Sequence, residues 1–147
     1  MDIDIKHRWD VHVLYHADNV HNLKEALHQA IERRVDLTGA LLDDADLARS
    51  DFERGRLAGA SLRNARLQSC NFEECDLSEA DLSGAHLEGS NLEEADLGGA
   101  KLDGAKLDGC NCEDCDFSAA SLVEASARGA NFEDADLSSA DLGLTFT

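Results

Sequence analysis

A solenoid wound with four sides to each turn is the fold class that the sequence predicts, and three observations predict it. From Val35 to Leu144 the chain reads as twenty-two consecutive pentapeptides without a slip. The central residue of each is Leu in sixteen, with Phe52, Phe72, Phe117, Phe132, Cys112 and Ala127 in the others. Two places earlier stands a small residue: fourteen Ala, four Cys (Cys70, Cys75, Cys110, Cys115), Ser50, Ser90 and Gly55, with Val35 as the first. A period of five fits neither the helical repeat of about 3.6 residues nor the two-residue alternation of a strand. Self-similarity at a fixed period instead marks stacked units, each burying its apolar residues against the next.

A second period counts the sides. Asn71, Asn91, Asn111 and Asn131 precede a central residue, and Glu53, Glu73, Glu93, Glu113 and Glu133 follow one, both sets at intervals of twenty. Phe52, Phe72 and Phe132 share that column with Leu92 and Cys112. Four pentapeptides therefore make one coil.

Units such as Ala80-Asp81-Leu82-Ser83-Gly84 and Ala95-Asp96-Leu97-Gly98-Gly99 resemble the pentapeptide-repeat family, whose consensus is A-(D/N)-L-x-x. The resemblance implies an all-β solenoid: a right-handed quadrilateral β-helix of about five and a half coils over residues 35–144. It places the central and small residues inside and the other three outside. Family members serve many roles, so the fold does not by itself name an activity.

Residues 1–34 read as a strand-helix cap. Trp9, Val11, Val13 and Tyr15 alternate with Asp10, His12, Leu14 and His16, which predicts a strand with one apolar face. Val20, Leu23, Leu27, Ala30 and Ile31 recur at helical spacing, and Asn22 with Glu25 predicts a capped start. A terminal solenoid layer needs such a cover. Residues 145–147 read as a tail, with no amphipathic helix before it, so Leu142, Leu144 and Phe146 are candidate contacts for a C-terminal homodimer, against the alternative of a tail folded over its own coil.

The formal charge is −18, and residues 70–147 alone carry nineteen acids against three bases. Such a surface repels phosphates, which excludes direct nucleic-acid binding and favours a basic protein partner. Arg49, Arg54, Arg56, Arg63 and Arg66 cluster in the first coils. No apolar run of membrane length or leader pattern is present, which gives a cytoplasmic expectation.

Candidate chemistry is sparse. The five cysteines all take inward positions and are expected as free core thiols, because equivalent ones two coils apart stand roughly 10 Å from each other, beyond disulfide reach. Five of six histidines, at 7, 12, 16, 21 and 28, crowd the first segment; His12 and His16 are expected on one strand face, without an Asp, Glu or Cys to complete a metal set. No nucleophile–base grouping or phosphate-binding glycine motif is evident. The expectation is a non-enzymatic protein with no cofactor and no metal.

One edge stands out. Successive coils supply Glu73, Glu74 and Asp76; Glu93, Glu94 and Asp96; Glu113, Asp114 and Asp116; and Glu133, Asp134 and Asp136. Three carboxylates per coil at a spacing of about 4.8 Å give roughly one charge per 1.6 Å, against about 1.7 Å in duplex DNA. The resemblance implies DNA mimicry of the topoisomerase-inhibitor type, with DNA gyrase or another DNA-binding protein as partner; the alternative is an interaction scaffold of bacterial or phage origin whose acids maintain solubility. The coil centred on Cys112, Phe117, Leu122 and Ala127 has two undersized residues beside one large one, so Phe117 is expected to fill its layer.

Overall fold

The structure is a computed structural model that describes residues 1–145 and 147. Among the described residues from position 36 onward there is no extended strand. Each pentapeptide instead contributes one bridging residue, the one before its centre, to a parallel contact twenty positions on. Four ladders result. One runs Asp36, Arg56, Asp76, Asp96, Asp116, Asp136; the next Leu41, Ser61, Asp81, Lys101, Ser121, Asp141. The third runs Asp46, Arg66, His86, Lys106, Ser126, Thr145, and the fourth Asp51, Asn71, Asn91, Asn111, Asn131.

The repeat is explained by the destinations of its five N–H groups, since a buried donor without an acceptor is costly. In a typical unit the centre and the residue two beyond it donate to the next coil, as in Phe72 N–H to Asn91 O (2.7 Å) and Glu74 N–H to Glu93 O (3.0 Å). The residue before the centre donates backwards (Asn71 N–H to Ser50 O, 3.0 Å), and the small residue closes the turn (Cys75 N–H to Phe72 O, 2.9 Å). The residue just after the centre is left over. Its N–H is taken by the Asp or Asn side chain two places earlier, as with Glu73 N–H to Asn71 Oδ1 (3.1 Å) and Gly98 N–H to Asp96 Oδ1 (2.9 Å). This Asx turn is why an acid or its amide precedes the centre.

The corner also sets the fifth position. From 39 to 139 that residue has a positive φ in every unit: eight are glycines, and thirteen are not. A side chain there costs conformational energy unless the surroundings hold it, and the two flanking inter-coil hydrogen bonds supply that hold.

Central residues from Leu37 to Ala127 are at most 2% exposed and form one core. Phe52 and Phe72 stack at 4.8 Å with planes 4° apart, so side chains twenty positions apart do lie over one another. Phe117 is fully buried and packs against Phe132 at 5.7 Å. All five cysteines are free and buried. Burial pushes the Cys70 thiol up to about 11 and that of Cys75 higher still.

The first segment differs from the sequence expectation. Strands β1 (Ile3–Lys6) and β2 (Val13–Ala17) pair antiparallel. Trp9 and Val11, expected on the apolar face of a strand, lie instead in the connecting loop and are 76% and 57% exposed. The missed partner is β1, whose Ile5 is the buried residue; Lys6 and the alternating acids hid it. Helix α1 (Leu23–Glu32) starts at Asn22, whose side chain accepts from Glu25 N–H, while Glu25 accepts from His21 N–H.

This segment meets the first coil along its open edge. Leu41 N–H donates to Lys6 O and Arg8 N–H to Gly39 O, both at 2.8 Å, and Lys24 Nζ donates to Ala48 O. Ile5, Ala17, Val20, Ala26, Leu27 and Ala30 join the same buried core. At the other end the ladder loses one residue: Ser126 bridges Thr145, nineteen positions on. There Phe132, Leu137 and Leu144 are only partly buried, and Leu142 is 51% exposed.

Candidate functional site

The acidic residues of the sequence reading fall on one corner, where the asparagine ladder turns into the aspartate ladder. The ladders place them in register. Bridges connect Asp76, Asp96, Asp116 and Asp136, and Glu73, Glu93, Glu113 and Glu133 each follow the centre beside a ladder asparagine. Asn91, Asn111 and Asn131 donate through Nδ2 to the asparagine one coil before, at 3.3 to 3.4 Å. The backbone of this corner is thereby held as a fixed platform.

The acids on it play two different parts. Asp76, Asp96, Asp116 and Asp136 each accept the N–H two residues on through Oδ1, so they build turns as well as carry charge. Glu73, Glu74, Glu93, Glu94, Glu113, Asp114, Glu133 and Asp134 have no such duty. Arg54 pairs with Glu74 at 2.9 Å, which gives one of the three carboxylates on the first rung a cationic partner. On the three later rungs no ion pair is made among the described residues. Partial burial, then the surrounding carboxylates, raise Glu73 and Glu113 above the usual carboxylate range. For Glu113 the neighbours are Glu133, Glu93, Asp114 and Asp134, the ladder itself.

The opposite side has a different character. Its ladder presents Arg66, His86, Lys106 and Ser126. In the first coils arginines pair with acids twenty positions away: Arg66 with Asp46 at 3.4 Å on this side, Arg63 with Asp43 through two nitrogens at 2.8 and 3.1 Å, and Arg56 with Asp36 at 3.2 Å on the aspartate ladder itself. The corner and the charge asymmetry were both legible, because column membership follows from counting by twenty.

Between α1 and the first coil lies a cleft of about 390 Å³ lined by Asn22, Lys24, Glu25, His28, Arg49, Ser50 and Asp51. Serine, histidine and aspartate meet here, yet they form no relay. His28 pairs with Glu32 at 3.3 Å, and Asp51 Oδ1 accepts from Glu53 N–H and Asn71 Nδ2.

The histidines were misplaced by the sequence reading. His12 lies outside β2 and turns to Asp10, with Nδ1 at 2.5 Å from Oδ1, while His7 Nδ1 stands 3.2 Å from the same oxygen. His16 is held separately by Asp4 (2.6 Å) and Asp18 (2.9 Å), which raise its pKa. The carboxylate thought to be missing was Asp10, between the two histidines; only the hairpin brings all three together.

Of the proposed dimer contacts, Leu142 is exposed, Leu144 packs against the last layer, and Phe146 lies outside the described residues. No helix among the described residues is long and apolar enough to cross a membrane.

Four parallel ladders, twenty residues per coil and inward Leu-Ala pairs define a solenoid of the β-helix class. The chain belongs to the pentapeptide-repeat family: the family model described as pentapeptide repeats (8 copies) matches residues 33–68, 70–109 and 110–145. The architecture is accordingly the right-handed quadrilateral β-helix. Rfr23, a pentapeptide-repeat protein from the cyanobacterium Cyanothece 51142, is 26% identical with a TM-score of 0.51, covering 86% of this chain and 100% of that one. HetL, involved in heterocyst differentiation regulation in Nostoc sp. strain PCC 7120, is 27% identical over 78% of this chain and 73% of that one, with a TM-score of 0.38. A trypsin-treated form of QnrB1, a plasmid-mediated fluoroquinolone resistance protein, is 23% identical over 72% of this chain and 65% of that one, with a TM-score of 0.40. No curated protein sequence matches the chain. Proteins of this family generally have binding or structural roles rather than catalytic ones.

Proposed function

We propose that the protein is a non-enzymatic binding protein whose acidic corner engages a basic, DNA-binding partner by presenting carboxylates where duplex DNA presents phosphates. One observation carries this reading. The carboxylates on the rungs of Glu93, Glu113 and Glu133 have no cationic partner among the described residues, and their mutual repulsion works against folding.

The sign of that effect follows from Glu73 and Glu113. A carboxyl whose pKa is raised in the folded state favours folding below its unfolded value, near 4.5, and that contribution is lost as pH rises through the folded value. At neutral pH Glu73 and Glu113 therefore weigh against the fold, through their partial burial first and the surrounding carboxylates second. An arrangement that opposes stability and is not needed by the turns suits a surface kept for another molecule. The scaffold reading draws on a different fact, the turn-forming work of Asp76, Asp96, Asp116 and Asp136, which explains their presence without any partner.

DNA gyrase is the specific partner that the family resemblance suggests. The test uses purified gyrase in a supercoiling assay, with the wild-type chain and a Glu93→Lys, Glu94→Lys, Glu113→Lys, Asp114→Lys variant. Mimicry expects inhibition that weakens with added salt, competition with duplex DNA, and loss of both in the variant. If the variant binds a DNA-binding partner as well as wild type does, the corner is only a solvated face.

We assign residues 1–34 as the cap, 35–144 as about five and a half coils, and 145–147 as the tail. The exposed Leu142 and the partly buried Leu144 on the last layer suit a second copy of the chain. Sedimentation of wild type against Leu142→Glu tests this: a dimer converted to monomer is expected, and a wild-type monomer at high concentration would remove the idea.

A further inference from the structure

We propose that the tip of the N-terminal hairpin, His7 with Asp10 and His12, is a binding site for a divalent transition-metal ion of the zinc, nickel or copper kind. Each of the three residues offers one donor atom, and these atoms lie within 4.8 Å of one another; Asp10 Oδ1 faces Nδ1 of His7 and Nδ1 of His12. The oxygen stands 3.2 Å from the first nitrogen and 2.5 Å from the second. Metal–ligand bonds of about 2.0 to 2.2 Å place neighbouring donors roughly 3 to 3.5 Å apart. Rotations of the exposed Asp10 and His12 side chains about the more buried His7 ring are enough to bring these donors around one ion.

The loop is built to hold the donors together. His7 N–H donates to His12 O at 2.9 Å, and Val11 N–H donates to His7 O at 3.1 Å, which closes the tip across the two histidines. Val11 takes a left-handed φ of 53°, an outlier for a β-branched residue, and this reverses the chain so that His12 returns over His7. The two imidazoles stack at 5.0 Å with planes 15° apart.

His7 is anchored from the other side. Its Nε2 packs where a Cβ on Gly39 would come within 2.3 Å, so the first coil leaves room for this ring only because position 39 is glycine. Backbone hydrogen bonds from Arg8 to Gly39 and from Leu41 to Lys6 fix the hairpin on that coil. The ring is thereby presented with Nδ1 towards Asp10. Two imidazoles and a carboxylate are the donor set that borderline divalent ions prefer, whereas magnesium and calcium take oxygen donors. Three protein donors leave a coordination position open to water or to a donor from another molecule.

The other two groupings lack this chemistry. At Asp2, His16 and Asp18 there is a single imidazole, and both its nitrogens face carboxylates, at Asp4 and Asp18, as a protonated ring does. Cys110, Cys112 and Cys115 are buried thiols; Cys110 Sγ donates to Leu87 O, and burial pushes the Cys115 thiol up, away from the thiolate that a metal needs.

Calorimetric titration of the full chain with zinc, in millimolar magnesium to occupy the acidic corner, tests the site. One zinc per chain is expected, with affinity lowered at least about tenfold in His12→Ala and in Asp10→Asn, and unchanged in His16→Ala. Copper added to the wild type is expected to show nitrogen hyperfine structure in its electron paramagnetic resonance spectrum, lost in the His7→Ala, His12→Ala double variant. His12 is more than half exposed, so its removal leaves the fold intact, which a melting curve verifies. No saturable zinc binding, or zinc binding that survives the double variant or is displaced by magnesium, overturns the proposal and assigns any ions to the carboxylate ladder.

Discussion

The two ends of this tube are made from the same repeat, yet one is covered and charge-paired while the other, among the described residues, is partly open and charge-rich. At the first coil the hairpin and α1 bury Ile5, Ala17, Val20, Leu27 and Ala30 on the open layer, and Arg54, Arg56, Arg63 and Arg66 each pair with an acid twenty positions away. At the last coil Leu142 is half exposed, and its carboxylates make no ion pair among the described residues. Stacking supplies each interior coil with a neighbour on both sides, so only the ends require special provision. The difference teaches that the repeat itself needs neither ion pairs nor a particular charge; those features vary along the tube while the ladders do not.

The largest expected effect lies between the ends. Phe117 fills the layer left thin by Cys112 and Ala127, so Phe117→Ala is expected to cost about 3 to 5 kcal/mol in chemical denaturation. A loss below about 1 kcal/mol would mean that the layer is not packed as described. Next come the ends themselves. Leu27→Ala on the buried face of α1 is expected to cost about 2 to 4 kcal/mol, and Leu142→Ala at the partly open end under about 0.5 kcal/mol. Equal losses would break the comparison, and would point to a covered last layer in solution.

The asparagine ladder gives a smaller effect. Asn91→Ala removes the acceptor for Glu93 N–H and two ladder contacts, and is expected to cost about 1 to 2 kcal/mol; Asn91→Asp, which keeps the turn, is expected to retain more of that stability. The charge contrast predicts opposite signs. Glu113→Gln is expected to raise the melting temperature at neutral pH by relieving repulsion, with the gain shrinking as salt is added, whereas Arg63→Gln in the paired half is expected to lower it.

The last expected effect is a proton. Hydrogen bonds from Asp4 and Asp18 raise the pKa of His16, so its share of stability is present below the unfolded value near 6.5 and fades as pH rises through the folded one. In Asp4→Asn the His16 titration followed by NMR is expected to move down, and an unmoved titration would mean the contact is absent in solution.

Legibility in the sequence followed the same division. The ladders, the acidic corner and the inward cysteines could all be read by counting, because each repeat unit sees the same surroundings. Helix α1 could be read from Asn22, Glu25 and the spacing of Leu23, Leu27 and Ala30. The hairpin could not. Trp9, Val11 and Val13 alternate like a strand, but their pattern says nothing of which face meets a core, and the partner strand carries one fully buried residue, Ile5. The meeting of His7, Asp10 and His12 depends on that hairpin, so it was hidden for the same reason. The shortened last ladder at Thr145 was also invisible, since Leu142-Gly143-Leu144 continues the composition of the repeat while the backbone skips a place.

The twenty-residue ladder makes length an interchangeable part. A chain lacking residues 81–100 would bring Asn111 over Asn71 and Asp116 over Asp76, with like again above like and both termini untouched. Excising only five residues would instead rotate everything downstream by a quarter turn, carrying the carboxylates onto a new side. Such a tube keeps its charged corner in one straight line only when its length changes by whole coils.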